Sequence, residues 1–286
     1  MGWAQGLGIP MGGKTILYTG LMYQLMPSMI ALGKLLSRVE DSPLVRLFGV
    51  GRVVNRYIDG SRFTPLLVSR TDQEAFDGLL RNVALLLRNA GVEFGYLYDR
   101  ELYAGALAHD EGLCDAFQGH ARRVQDLFRS NGVKRIITVD PHTTNVIRSV
   151  YPNALGENGV EVKSYLEVLA ESGARPGRAL GRSVVIHDSC VYARQEEVIE
   201  EPRYLLREAG VEAVEPEYSG KMTFCCGGPI ESLFPKKARA IADRRVEQLA
   251  ALGDQLVTMC PICMVNLREP ARERNLAVAD ISAWLE

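Results

Sequence analysis

The chain has 286 residues, 47% of them apolar, enough to bury one large core or two of ordinary size. Its formal charge is −2 with no long block of either sign, so the basic footprint of a nucleic-acid binder is missing and no nucleic-acid partner is expected. No apolar run approaches the roughly 20 residues that span a bilayer and the N-terminus lacks the pattern of a secretory signal; a cytoplasmic protein is expected, associated with a membrane only through partners.

The first motif in chain order is GIPMGGKT, residues 8 to 15, a full match to the phosphate-loop pattern. A working phosphate loop needs a strand before it and a helix after it, so that amides and a helix N-terminus converge on phosphate. Here only seven residues precede Gly8, and Lys14 leads into TILYTG, which reads as a strand; no nucleotide is expected. The apolar stretch LMYQLMPSMIALGKLL comes next, broken by Gln24, Pro27, Ser28 and Lys34.

The phrase LLRNAGVE at 86 to 93 returns as LLREAGVE at 205 to 212, an offset of 119. KTILYTG from Lys14 pairs with RSVVIHD from Arg182, and ITVDPHTTNVIR from Ile137 with VTMCPICMVNLR from Val257, at offsets of 168 and 120. The larger first offset means that the first copy carries about 50 extra residues, around VEDSPLVRLFGVGRVVNRYIDGSRFTP. Each unit reads as strand, helix, strand, helix, strand, the signature of a parallel sheet covered by helices. The expected architecture is α/β: two pseudo-repeated lobes, each a small parallel sheet flanked by helices, with residues 1–165 and 166–286 as the two domains and the join near 151 to 181.

Five of the six cysteines fall in the last 97 residues, which in a cytosolic protein points to metal or redox chemistry rather than structural crosslinks. They follow strands, where loops of parallel sheets build sites: Cys190 in HDSC, Cys225 and Cys226 in FCCGGP, Cys260 and Cys263 in CPIC, a spacing of C-x34-CC-x33-C-x2-C. Gly227 and Gly228 fit a loop that approaches a bulky group closely and needs positive φ, and Pro261 stiffens its turn. Structural zinc is four-coordinate, so a fifth thiol is surplus for it; a disulfide switch at CPIC or the vicinal pair is a further reading. His187 stands before the cysteine loop, either as a hydrogen-bond donor or proton carrier for the site or as a structural strand-end residue. Asp140, His142, His109 and Asp110 read as polar loop residues, with a hard-metal site as the alternative. Cys114, in a segment of helical periodicity, is expected to be a buried apolar thiol. Tyr18, Tyr23, Tyr96, Tyr98 and Tyr103 suit core packing, the inter-lobe cleft or a partner surface equally.

HDSC, FCCGG and CPIC make the second half resemble the cysteine-rich, or CCG, domain of heterodisulfide reductase and related iron–sulfur proteins, including those of glycolate, lactate and glycerol-3-phosphate oxidation and of sulfite-reductase-associated membrane complexes. The two-repeat layout extends the resemblance over nearly the whole chain, with Ser189 where the family has proline. The resemblance implies one noncubane [4Fe–4S] cluster held by Cys190, Cys225, Cys226, Cys260 and Cys263, and electron transfer to or from a thiol or disulfide substrate, or, as the alternative, electron relay towards a quinone. In the first repeat Met22, Ala104, Gly105, Asp140 and Thr143 stand opposite the ligand positions, so no second cluster is expected. No ferredoxin-like C-x2-C-x2-C-x3-C segment is present, and electrons are expected to come from a ferredoxin-like iron–sulfur subunit, a flavoprotein or a membrane quinone-linked subunit. A subunit with a zinc site and no enzymatic role is the reading from another class.

Overall fold

The short apolar runs form parallel strands, in a computed structural model that describes residues 2–39, 68–156, 159–174, 181–231 and 234–285. The insertion expected around 39–65 lies, apart from Val39, outside the described residues. One sheet contains β1 (Thr15–Tyr18), β2 (Arg135–Thr138) and β3 (Glu161–Ser164), in the order β1-β2-β3. The other contains β4 (Arg182–His187), β5 (Val211–Val214), β6 (Gln255–Thr258) and β7 (Ala277–Asp280), in the order β5-β4-β6-β7. Every pairing is parallel, and the central strands are buried over their last three residues or more, as expected where helices cover both faces.

The repeat is visible in the topology. A segment around Gly95 bridges β1 in parallel, through Ile16 and Gly95, on the side where β5 flanks β4. Both copies of the repeated phrase end a helix, Arg70–Asn89 and Glu200–Glu208, and each helix stops at a left-handed glycine, Gly91 at φ 75° and Gly210 at φ 74°. Each unit also carries a strand beyond those expected. β3 lies inside the segment expected to join the lobes and ends at Ser164, which caps the next helix (Tyr165–Glu171) in a reciprocal capping box with Glu167. The chain passes from the first sheet to the second between Ser164 and Arg182.

GIPMGGKT runs into β1, as expected, and not into a helix. Its backbone is already paired: Gly12 N–H donates to the Tyr96 carbonyl, and Tyr96 N–H to that of Pro10, both at 2.9 Å. The Gly12 carbonyl lies 1.6 Å from where a Cβ on Gly95 would sit, so only glycine permits this packing.

The lobes are joined by polar contacts that are partly or wholly buried. A π-helical turn in each, Val146–Val150 and Tyr192–Glu196, meets the other: Arg148 Nε donates to Glu196 at 2.6 Å, Asn145 at 2.7 Å and Ser149 at 3.0 Å. Arg148 also binds both carboxylate oxygens of Glu167 at 2.9 Å. Tyr23 of the first lobe donates to Asp280 of the second at 2.7 Å. Among the described residues no helix is long and apolar enough to cross a membrane.

Candidate metal centre

In the second sheet the chain leaves β4 towards β5 on one side and returns to β6 on the other. The crevice beyond the carboxyl ends of β4 and β6 is therefore a topological switch point, where α/β sheets place ligand sites. His187 ends β4, and Cys190 comes after it in the next loop. Cys260 follows β6 and is the N-cap of the helix Pro261–Arg272, whose first turn holds Cys263. Pro261 occupies the first helical position, where the missing N–H costs nothing. The loop after the turn Gly220–Met222 brings in Cys225 and Cys226.

That third loop is braced from below. Asp188, buried, takes both guanidinium branches of Arg203 at 2.9 Å and the Gly220 N–H at 2.6 Å, while Thr223 Oγ1 donates to the Asp188 carbonyl at 3.2 Å. Gly227 has φ 86°, and a Cβ there would come 2.5 Å from the Ala238 carbonyl; on Gly228 it would come 2.3 Å from Ile262 Cγ2. The two glycines thus let the cysteine loop sit on the neighbouring helices.

The five sulfurs form one continuous line of contacts: Cys190 to Cys225, Cys225 to Cys226, Cys226 to Cys263 and Cys263 to Cys260. Cys226, Cys260 and Cys263 are buried, and Cys190 and Cys225 are half-buried at the rim. The line divides into donors and acceptors. Hydrogen bonds from Cys190 and Cys226, with the Gly227 N–H at 3.3 Å, push Cys225 far down towards thiolate. Burial works to raise Cys260, but Cys263 and His142 outweigh it and hold it well below the usual thiol range. Giving a hydrogen bond to Cys225 pushes Cys190 and Cys226 up, and Cys263 is pushed up by its bonds to Cys226 and Cys260. Full ionisation of such a set needs cations among the sulfurs, and the soft donor set fits an iron–sulfur group.

His187 faces the same centre: its ring nitrogen and the sulfurs of Cys226 and Cys263 lie within 4.8 Å of one another. Its Nε2 is buried without a partner in the protein, while Nδ1 receives Arg245 Nε at 3.1 Å. Burial, and then the Arg245 charge, push its pKa down to about 3, so the ring is neutral. Arg245 is itself buried, which lowers it to about 10, and it has no carboxylate among its hydrogen-bond partners, which are His187, Gln248, Tyr218 and Thr223. It was legible as an arginine inside the buried stripe Ala238, Ala242, Val246 and Leu249 of the helix Pro235–Ala250.

From the first lobe, His142 reaches the site. Its imidazole bonds to Cys260 and holds Asp110 with Nδ1 at 3.2 Å. Burial works against its charge, but Asp110 and Cys260 raise it to about 10. Asp110 is shared with His109 at 3.3 Å. These residues, read from sequence as loop polar groups, thus include one that touches the cysteine line.

Cys114 is not brought in. It is exposed, contrary to expectation, because it is the first residue of the helix Cys114–Ser130, one turn ahead of the buried stripe Phe117, Ala121, Val124 and Phe128. Tyr18, Tyr23 and Tyr96 are buried, with Tyr23 spanning the lobes, and Tyr98 and Tyr103 are half-buried.

The family model described as "Cysteine-rich domain" (CCG) matches residues 184–268, which contain all five cysteines. The chain is 31% identical over 260 residues to "EtfAB:quinone oxidoreductase" of Syntrophomonas wolfei, covering 83% of this chain and 36% of that protein. It is 34% identical over 200 residues to "Probable iron-sulfur-binding oxidoreductase FadF" of Bacillus subtilis, covering 67% of this chain and 28% of the relative. It is 33% identical over 220 residues to "Probable membrane-anchored ferredoxin" of Chromohalobacter salexigens, covering 71% and 32%. The chain therefore spans about a third of the length of these relatives.

Proposed function

We propose, for a chain that belongs to the CCG cysteine-rich-domain family, that Cys190, Cys225, Cys226, Cys260 and Cys263 hold a single noncubane [4Fe–4S] cluster and that the protein is the iron–sulfur subunit of an oxidoreductase. The observation that carries this reading is the unbroken line of five sulfurs gathered from three loops at one switch point. Bound there, an iron–sulfur cluster supplies a redox centre whose potential follows net charge, hydrogen bonds to sulfur and solvent exposure.

The chain's own residues set those conditions. The N-terminus of the helix Pro261–Arg272 and the buried Arg245 favour negative charge at Cys260 and Cys263. Buried Cys226, Cys260 and Cys263 keep water from the inner side, and the half-buried Cys190 and Cys225 form the rim at which electrons enter and leave. Residues 166–286 act as the cluster-binding unit, and residues 1–165 as a related lobe without cluster ligands that covers it and donates His142.

Electrons pass between a flavoprotein or ferredoxin-like partner and a membrane quinone-linked subunit. This direction is favoured over heterodisulfide chemistry by the relatives, whose names are a quinone oxidoreductase and a membrane-anchored ferredoxin. A second reading, reduction of a disulfide to two thiols with two electrons from the partner and two protons, draws on the half-open Cys190–Cys225 rim. Anaerobically purified protein, reduced and then mixed with a small disulfide or with a quinone-linked membrane fraction, separates the two: reoxidation only by the membrane fraction is expected. Reoxidation by the disulfide alone would make the second reading the function, and colourless protein carrying zinc would overturn both.

A further inference from the structure

We infer that Arg245 is a positioning residue that locks His187 as an Nε2–H donor aimed at Cys226 and Cys263, so that His187 is a hydrogen-bond donor to the sulfur centre and not one of its metal ligands. By distance alone the opposite looks natural, because His187, Cys226 and Cys263 would make three ligands of a metal site. Proton accounting decides against it. A guanidinium has only donors, so the 3.1 Å contact from Arg245 Nε requires a lone pair on Nδ1 of His187. In a neutral imidazole the proton is then on Nε2, where a metal would have to bind. A ligand histidine normally donates Nδ1–H to a carboxylate or carbonyl, and here that position faces a cation. The Nε2–H is fully buried and has no protein acceptor, an unfavourable state unless sulfur of the loaded site receives it.

The other lobe supports the pairing. At the first repeat offset Thr19 stands opposite His187, and with the buried faces of the helices Cys114–Ser130 and Pro235–Ala250 aligned, Val124 stands opposite Arg245. Both halves of the device are absent from the lobe that has no cysteines at the ligand positions. Arg245 and His187 therefore belong to the cysteine site and not to the shared scaffold.

The first arm of the test is independent of the cluster reading: nitrogen NMR of the full apo chain labelled at its four histidines, with His187→Gln to assign the signal. Wild type is expected to show His187 as a fixed Nε2–H tautomer, and Arg245→Met to release it towards Nδ1–H. A wild-type Nδ1–H tautomer overturns the inference, without need of any variant that folds poorly. The second arm rests on the proposed cluster: in loaded protein, Arg245→Met and His187→Gln each shift the reduction potential to more negative values, and the double variant goes no further than the larger single shift. Additive shifts would show that the two residues act separately and overturn the positioning role. Colourless protein with the Nε2–H tautomer would sink the function and leave this inference standing.

Discussion

The two lobes have parallel sheets of corresponding strand order and matching helix endings, yet the crevice beyond their central strands is open to sulfur in one and closed in the other. In the second lobe Cys260 is the extended N-cap after β6, and its sulfur makes no capping hydrogen bond to the helix. In the first, Asp140 is the N-cap after β2, and its carboxylate takes the Thr143 N–H at 2.9 Å. The same backbone geometry survives with oxygen in place of sulfur. Around it the pocket has collapsed: a Cβ on Gly20 would lie 2.3 Å from Thr143 Oγ1 and 3.1 Å from Ala104 Cβ. The left-handed glycines Gly105 and Gly227, at φ 89° and 86°, put Tyr103 and Ala104 opposite Cys225 and Cys226, a register one residue from that read in sequence. The first lobe thus repeats the backbone of the cysteine site with its space filled by hydrogen-bonded side chains, and one neighbour, His142, faces the cysteines of the other lobe.

The largest stability effect expected from breaking this contrast falls under the cysteine loops. Asp188→Ala leaves Arg203 with Glu215 but without its buried carboxylate, frees Gly220, and should cost roughly 3 kcal/mol in urea unfolding. A loss below about 1 kcal/mol would show that the brace does not hold the site.

In the first lobe the corresponding crevice holds Glu101, which accepts hydrogen bonds from Thr19 N–H, Thr19 Oγ1 and Tyr96 OH. Burial outweighs them and raises its pKa from 4.5 to about 7. The folded state therefore keeps a proton that the unfolded chain has lost between those values, so this group's stabilising contribution is full below pH 4.5 and is lost as pH rises to about 7. The gap is worth roughly 3 kcal/mol. Stability measured across that range should fall less steeply in Glu101→Gln than in wild type, and parallel curves would remove Glu101 as the cause.

A smaller effect tests the N-cap comparison: Asp140→Ala should cost about 1 kcal/mol, the usual value of a cap, and leave the visible spectrum of the protein unchanged. Bleaching there would mean that the first lobe does carry part of the centre. Cys114→Ser, at an exposed helix start, should change stability by less than about 0.5 kcal/mol and the spectrum not at all.

Strand identity, the repeat and the five-cysteine pattern were legible because each is a local signal: β-branched runs, a repeated helix stop, and cysteines just after strands. β3 and β7 were not, since EVKS and AVAD are short and half-exposed and are defined by their neighbours rather than by their own pattern. Arg245 was visible only as a charge in an apolar stripe, and its partner His187 lies 58 residues away. His142 could not be linked to Cys260 from sequence, because that contact exists only where the two lobes face each other.

The most direct measurement of the central claim is iron and acid-labile sulfide per chain in anaerobically purified protein, wild type beside Cys226→Ser. One cluster, about four irons and four sulfides, is predicted for wild type and its loss for Cys226→Ser, from the lobe that kept its thiols. Iron for two clusters in wild type, or a full complement retained in Cys226→Ser, would contradict it.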